Sequence, residues 1–362
     1  MRLKTIATVL LMMVLTSACS SQESEKPRVE DPPLPRAEEE KKVLAADLDV
    51  PWDIIKREDF FYISERGGRI IKIMTGGKKE KIPLILKKEV SQQGEGGLLG
   101  FVLAPDFDSS KQAYIYHTYE ENGQAYNRIV KIKLSGDGWV EKSVLLDHIP
   151  ASIIHNGGRL EIGPDEKLYA TTGDAGEEQN AQNLDSLSGK ILRMNLDGTV
   201  PEDNPFPDSL VYSYGHRNPQ GLAWTEEGDL YSAEHGSSAH DEMNRIQPGG
   251  NYGWPIIRGD ETKKGMIPPL FQSGQQTWAP SGLAYNNGTL YMAGLRGAQI
   301  RAFHLQNHTS EIVFQGVGRL RDIVIENGAA YVITNNTDGR GNPRPQDDLL
   351  LKLELERIVE RE

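Results

Sequence analysis

Two stretches of this chain carry side chains of the kinds that move protons and hold charge. The first runs His155-Asn-Gly-Gly-Arg-Leu160, passes Gly163-Pro-Asp165 and Leu168-Tyr169, and reaches Thr172-Gly-Asp174. If residues 159–162 and 168–171 are antiparallel neighbours, His155 precedes one strand and Asp174 follows the other, so both emerge at the same sheet edge. A carboxylate on one imidazole nitrogen fixes the tautomer and makes the other nitrogen a better base. The same residues also fit a histidine that satisfies a loop carbonyl beside an Asp in a Gly-Asp turn. The second stretch, Gly215-His-Arg-Asn-Pro-Gln-Gly221, sets Arg217 and Asn218 just before an apolar run. Arg offers a planar fork to an anion or a carbonyl, and Asn offers both a donor and an acceptor.

Further along, Glu234-His-Gly-Ser-Ser-Ala-His-Asp-Glu242 mixes carboxylates with glycine. Such a loop can give a calcium ion backbone carbonyls and a carboxylate, or it can be a solvated acidic loop. His235 and His240 lack an obvious third partner for zinc. Arg296, Arg319 and Arg321 fall at the end of one apolar unit and the start of the next. Alternate residues of a strand face one way, so Arg319 and Arg321 are expected to point together, toward a polyanion or as a surface pair.

What must position these groups is a β scaffold. Between Val43 and Val359 the apolar residues come in short alternating runs bounded by Gly, Asn and Asp, with no sustained helical period. A pattern recurs: a strand ending in an aromatic pair or Leu-Tyr, a turn, then an alternating basic-apolar strand. It appears at Phe61-Tyr62 with Arg69 to Ile73, Tyr114 to Tyr116 with Arg128 to Leu134, and Leu168-Tyr169 with Lys190 to Met194. It returns at Leu230-Tyr231 with Asp241 to Ile246, Leu290-Tyr291 with Gln299 to Phe303, and Ala330-Tyr331 with Leu349 to Leu353. Another apolar run precedes each copy, Trp52-Asp-Ile-Ile55 being the first, and successive copies stand roughly 40 to 62 residues apart. No unit can bury its own sheet faces, so the units must pack radially and close a ring. The expected fold is an all-β, six-bladed β-propeller of four-stranded antiparallel blades spanning residues 43–358, with function in the loops at one mouth of its channel.

Ahead of the ring, Arg2 and Lys4 with the apolar run from Ile6 to Leu15 read as an export signal, residues 1–18, too short to span a membrane. Cys19 is the only cysteine and follows Ser17 and Ala18 as an acylated lipoprotein cysteine does. Residues 19–42, rich in charge and proline, read as a disordered tether from a membrane anchor, which places the domain outside the cytoplasm. The formal charge is -12, and loss of Arg2 and Lys4 takes it to -14, which argues against nucleic acid as a partner.

Together with Gly94-Glu-Gly-Gly-Leu-Leu-Gly-Phe101, Gly249-Gly-Asn-Tyr-Gly-Trp-Pro255, Ala279-Pro-Ser281 and Arg319-Leu-Arg-Asp322, these stretches resemble the soluble quinoprotein glucose dehydrogenase and aldose sugar dehydrogenase family. Its members are six-bladed propellers that use pyrroloquinoline quinone and calcium. The resemblance implies that His155 is the base on the anomeric hydroxyl, that Asp174 orients it, and that Arg217 steadies charge on the quinone carbonyl. It puts Asn218, His235, Asp241, Thr277 and Glu95 at the cofactor, with its three carboxylates on Arg296, Arg319 and Arg321. The carbonyls of Gly236 and Ser237 would hold a cofactor-bound calcium, and Glu242 with the carbonyl of Tyr252 a second one. Glu95 and His235 stand where the family has amides, and a carboxylate at residue 95 is expected to repel the anionic cofactor unless it is protonated or bridged. The implied reaction takes an aldose or oligosaccharide, in an open cleft, to a lactone, with electrons passed to an external acceptor. A calcium-dependent sugar lactonase would instead need acidic and Asn ligands at the channel centre. A non-catalytic binding propeller would be signalled by loss of His155 or Arg217, and both are present.

Overall fold

The computed structural model describes residues 41–136 and 138–355. The signal segment, Cys19 and the tether up to residue 40 lie outside the described residues, as do residues 356–358. Six sheets follow one another along the chain. Each starts with an inner strand: Pro51–Lys56 in blade 1, Leu98–Leu103 in blade 2, Leu160–Ile162 in blade 3, Pro219–Trp224 in blade 4, Pro280–Asn286 in blade 5 and Leu320–Glu326 in blade 6. Inner strands of consecutive blades meet, at the junction of blades 3 and 4 the inner strand of blade 4 meets Leu168–Thr172, and the inner strands of blades 6 and 1 meet in turn, which closes the ring. The repeated aromatic strand is the second strand of each blade, and the basic-apolar strand is the third.

Two details depart from the repeat. Blade 2 has five strands, because Leu84–Ile85 adds in parallel to the long strand Gly138–Pro150. The outermost strand of blade 6 is Lys41–Ala45, paired with Leu350–Glu354, so Lys41 and Lys42, expected to be tether, belong to the folded domain. That pairing ties the start of the ring to its end, with Lys41–Ala45 as the outer edge strand of blade 6.

Among the described residues the apolar side chains fall into six clusters, each lying mainly between two neighbouring blades. Tyr169, Ile191, Leu222, Leu230 and Ile246, for example, fill the junction of blades 3 and 4. This is the burial that no single sheet could supply. At the centre the fill is ionic. Arg159 of blade 3, 2% exposed, pairs with Asp53 of blade 1 and Asp322 of blade 6, both at 3.0 Å, and donates to the Gln220 carbonyl of blade 4 at 2.9 Å. Asp53 and Asp322 also accept the backbone N–H groups of Phe101 and Ile54. Five blades are thereby stitched at the axis, and removal of one partner from such a buried network costs about 3–5 kcal/mol.

Candidate active site

The loop before the inner strand of blade 3 is shaped by left-handed backbone at His155, Gly157 and Gly158 (φ 55°, 60° and 103°). It docks on the turn that follows the strand Leu168–Thr172. A Cβ at Gly173 would lie 1.9 Å from the His155 carbonyl oxygen, so only glycine permits that approach. The consequence is the predicted pair: His155 Nδ1 lies 2.7 Å from Asp174 Oδ1. The side chain of His155 is 15% exposed and Asp174 fully buried. Asp174 also accepts the Gly176 N–H and the Trp254 indole N–H, each at 2.8 Å. Burial alone would raise its pKa, but the bonds from His155, Gly176 and Trp254 outweigh it and hold the carboxyl below the usual range. An ionised Asp174 keeps the proton on Nδ1, and Nε2, which has no partner among the described residues, carries the lone pair.

Arg217 belongs to the same unit. Its carbonyl accepts the Asp174 N–H at 2.8 Å, its own N–H donates to Glu234 at 2.6 Å, and its guanidinium lies 5.3 Å from the Trp254 ring centroid. Its Nε is buried without a partner. Behind it, Glu234 takes His216 Nδ1 at 2.7 Å, and His216 stacks on Tyr252 at 4.8 Å. Asn218 accepts the Gly157 N–H at 3.0 Å, so its carbonyl secures the His155 loop and its amide nitrogen is the atom left for a ligand.

Arg217, Gly236, Ser237, Glu242 and Tyr252 line one cavity, so the four expected metal residues do come together. The carbonyls of Gly236, Ser237 and Tyr252 accept no hydrogen bond among the described residues. Burial and then the nearby Glu234 push the Glu242 carboxyl up to about 8. Hard oxygen donors so disposed fit calcium. A Cβ at Gly236 would meet the His240 carbonyl oxygen at 2.1 Å, and Ser238, Ala239 and His240 all have positive φ. Asp241 fastens this turn. It accepts the N–H groups of Gly236, Trp278 and Ala279 and the Thr277 hydroxyl. Asp241 and Thr277, expected at the cofactor, therefore face each other, and Asp241, 2% exposed, is spent on positioning the loop.

A second cavity holds Glu95, His235 and Arg321 with Arg66 and Arg340, and His235 lines both cavities as the wall between them. Burial drives the His235 pKa down to about 4, so the ring is neutral near pH 7, and its Nε2 is buried without a partner. Arg296 and Arg319 line an adjoining recess that shares Leu295 and Arg340 with this cavity. Arg319 pairs with Asp338 at 2.7 Å and Arg321 reaches Gln220 at 3.0 Å; Asp338 also lines the cavity that holds Arg321, so the two arginines share that carboxylate as a neighbour. Arg296 is exposed at the rim and has no partner among the described residues.

Glu95 is bridged, one of the alternatives left open from the sequence. One oxygen accepts the His155 N–H at 2.9 Å and the other pairs with Arg340 at 2.6 Å. Burial opposes ionisation there, but the Arg340 bond, the nearby His235 and the His155 N–H hold the carboxyl below its ordinary range. The expected repulsion is answered by a cation in another blade. Arg66, Arg340, Trp254 and the Glu234–His216 pair were not singled out from sequence. Arg66 and Arg340 lie in Glu-Arg-Gly and Gly-Arg-Gly turns, a weak signal, and Trp254 gave only a motif position.

A family model described as Glucose / Sorbosone dehydrogenase matches residues 48–351. The chain is similar to quinoprotein glucose dehydrogenase B of Acinetobacter calcoaceticus, 35% identical over 259 residues, covering 62% of this chain and 54% of that protein, about half its length. It is similar to the aldose sugar dehydrogenase of Escherichia coli strain K12, 30% identical over 339 residues, or 82% of this chain and 90% of that one. Among solved structures, the PQQ-bound form of the aldose sugar dehydrogenase from Streptomyces coelicolor superposes with a TM-score of 0.81 at 39% identity, covering 87% of this chain and 97% of that one.

Proposed function

The chain belongs to the glucose / sorbosone dehydrogenase family, and on that premise we propose that it is a quinoprotein that oxidises aldoses at C1 to lactones with pyrroloquinoline quinone and calcium. The observation that carries the reading is the pair of cavities divided by His235. One offers carbonyls that accept no hydrogen bond among the described residues beside the Glu242 carboxylate, the other offers arginines, and the Arg217 Nε and His235 Nε2 are buried without a partner. A ligand that chelates a hard cation at one end and bears carboxylates at the other satisfies all of these groups. Gly236 and Ser237 would hold the cofactor's calcium, Glu242 and Tyr252 a second, and Arg321, Arg319, Arg296, Arg66 and Arg340 the carboxylates. When bound, the quinone supplies a two-electron acceptor whose carbonyl the calcium polarises.

The chain's own part is proton and charge management. His155 Nε2 takes the anomeric hydroxyl proton, and Asp174 holds Nδ1–H and stabilises the imidazolium that results. Arg217, fixed against Trp254, places positive charge where negative charge develops. The aldose loses two protons and two electrons in becoming a lactone, and the electrons leave to an external acceptor. A lactonase built on this fold would need its metal at the axis, where Arg159 sits between Asp53 and Asp322.

Purified protein supplied with quinone and Ca²⁺ should reduce an artificial dye over a panel of aldoses, and His155→Ala or Arg217→Ala should cut the rate at least about 100-fold. Near-normal dye reduction by either variant at full cofactor occupancy would overturn the mechanism. Export and acylation at Cys19 belong to the same proposal, supported by sequence alone. Mass spectrometry of the mature N-terminus tests them, and an unmodified residue 19 or an uncut signal counts against them.

A further inference from the structure

The strands that carry the candidate catalytic groups at one end carry a differently built recess at the other. Asp174 follows the strand Leu168–Thr172, and Arg217 and Asn218 precede the strand Pro219–Trp224. At the opposite ends of these strands lie the turn 163–167 and Trp224. There, between blades 3 and 4, Asp165, Arg193, Asp203, Tyr212, Trp224 and Asp229 line an open cleft of about 370 Å³. Tyr169 meets Trp224 and Tyr212 edge to face at 5.0 and 5.3 Å. Gly163 leaves room for these rings, since a Cβ there would stand 2.8 Å from Tyr169 and 3.2 Å from Trp224. Trp224 is half-buried, and its indole N–H has no partner among the described residues.

The polar wall is rigid. Arg193, 4% exposed, donates to Asp165 at 2.9 Å, to both oxygens of Asp203 at 2.8 and 2.9 Å, and to Asn204 at 2.9 Å. The Tyr169 hydroxyl donates to Asp165 at 2.9 Å, and Arg245 grips both oxygens of Asp229 at 2.7 and 2.8 Å. Carboxylates held in this way keep spare lone pairs, because each can accept about four hydrogen bonds. Flat apolar rings, fixed acceptors and a free indole donor are the parts of a preorganised site for a hydroxylated ring.

We propose that this cleft is a second saccharide site, which takes a neutral pyranose unit of a glycan at the face opposite the oxidising mouth. Three carboxylates against the single Arg193 inside the cleft disfavour an anion. A pyranose offers an apolar C–H face to Trp224 and Tyr212 and hydroxyls to Asp165 and Asp229. A glycan held there would stay with the enzyme while free reducing ends are processed at the other mouth. The site does not depend on the quinone reading, and the probes below cannot be oxidised at C1.

Calorimetry of the mature protein with methyl β-maltoside and methyl β-cellobioside tests it. Saturable binding with a dissociation constant of about 1 mM is expected for at least one glycoside, weakened about tenfold or more by Trp224→Ala and by Asp229→Asn and unchanged by His155→Ala. Trp224→Phe keeps a ring against Tyr169 and separates lost recognition from lost folding: its melting temperature should match the parent while binding weakens about threefold. Glucose oxidation should be unaltered in Asp229→Asn. No saturable heat from either glycoside up to about 50 mM overturns the proposal. So does binding that survives both Trp224→Ala and Asp229→Asn, or that disappears in His155→Ala because the mouth was the only site.

Discussion

Replacing Asp174 with Asn exchanges one oxygen for an NH₂ in a fully buried position where three donors converge. Oδ1 receives His155 Nδ1–H and the Gly176 N–H, and Oδ2 receives the Trp254 indole N–H. An amide has a single acceptor oxygen. If that oxygen faces His155, the NH₂ confronts the indole N–H and two buried donors go unmet. If it faces Trp254, the His155 ring must accept at Nδ1, and the proton moves to Nε2, the atom that has to receive the substrate's. Each unmet buried donor costs about 1–3 kcal/mol, so about 2–6 kcal/mol is lost in the first arrangement and about 1–3 kcal/mol in the second, where the Gly176 N–H goes unmet. With an unfolding entropy of roughly 2.1 cal/mol/K per residue over about 315 residues, 1 kcal/mol is roughly 1.5 °C, and the melting temperature should fall by about 2–9 °C. The second arrangement also removes the base and lowers dye reduction by about 10²- to 10⁴-fold.

Circular dichroism melts on cofactor-free protein and dye reduction at saturating quinone read the two effects separately. Trp254→Phe deletes the indole donor and keeps the ring. Combined with Asp174→Asn it should cost less than the sum of the single changes by about 1–2 kcal/mol, because the donor that the amide offends is gone. An Asp174→Asn enzyme within about threefold of the parent rate, where loss of a working base predicts at least 10², would refute the tautomer argument. A double-mutant cycle with no coupling would refute the hydrogen-bond argument.

Glu95→Gln should lower the melting temperature by about 1–2 °C near pH 7, since it breaks a charge-assisted bond to a half-exposed Arg340. Its folded pKa lies below the unfolded value, so the stability it contributes is present above the ordinary carboxylate range and fades as pH falls through the folded pKa. The gap between parent and variant should close in acid, and a gap independent of pH would deny the ion pair. Chelation of Ca²⁺ should abolish sugar oxidation and lower the melting temperature together, the latter by about 4 °C for the loss of about 2.7 kcal/mol relative to protein held at 100 times the dissociation constant. A melt indifferent to both chelator and added Ca²⁺ would exclude the oxygen cavity as its site. Burial, against the pull of Arg159, raises the Glu161 carboxyl to about 7, so its contribution is complete below about 4.5 and is lost as pH rises through 7. Glu161→Gln stays neutral throughout and should melt above the parent at pH 8 and level with it at pH 5. The reverse order would show that the carboxylate is stabilised by Arg159.

What could be read from the sequence follows from how far apart the partners sit. Alternation and turns revealed the six blades because every copy repeats the same local contacts, and Tyr62, Tyr169 and Tyr291 are buried as the repeat requires. His155 and Asp174 were legible because they flank one antiparallel hairpin, whose pairing of Leu160 with Ala170 carries both to one edge. The partners that were not legible lie in other blades or in loops. The bridge to Glu95 could not be assigned because its cation, Arg340, is 245 positions away in sequence and belongs to blade 6. Trp254 reaches Asp174 across 80 positions, through a loop whose path no periodicity encodes. Asp338, the carboxylate that neighbours both Arg319 and Arg321, comes from a loop after the next strand and was not legible beside them. In a ring whose blades are held by their own junction clusters, the loops at the mouth are free to take such cross-blade partners without disturbing the sheets. The chemistry is therefore distributed over loops from every blade, so the site is specified by three-dimensional closure of the ring and only its His–Asp hairpin by local sequence.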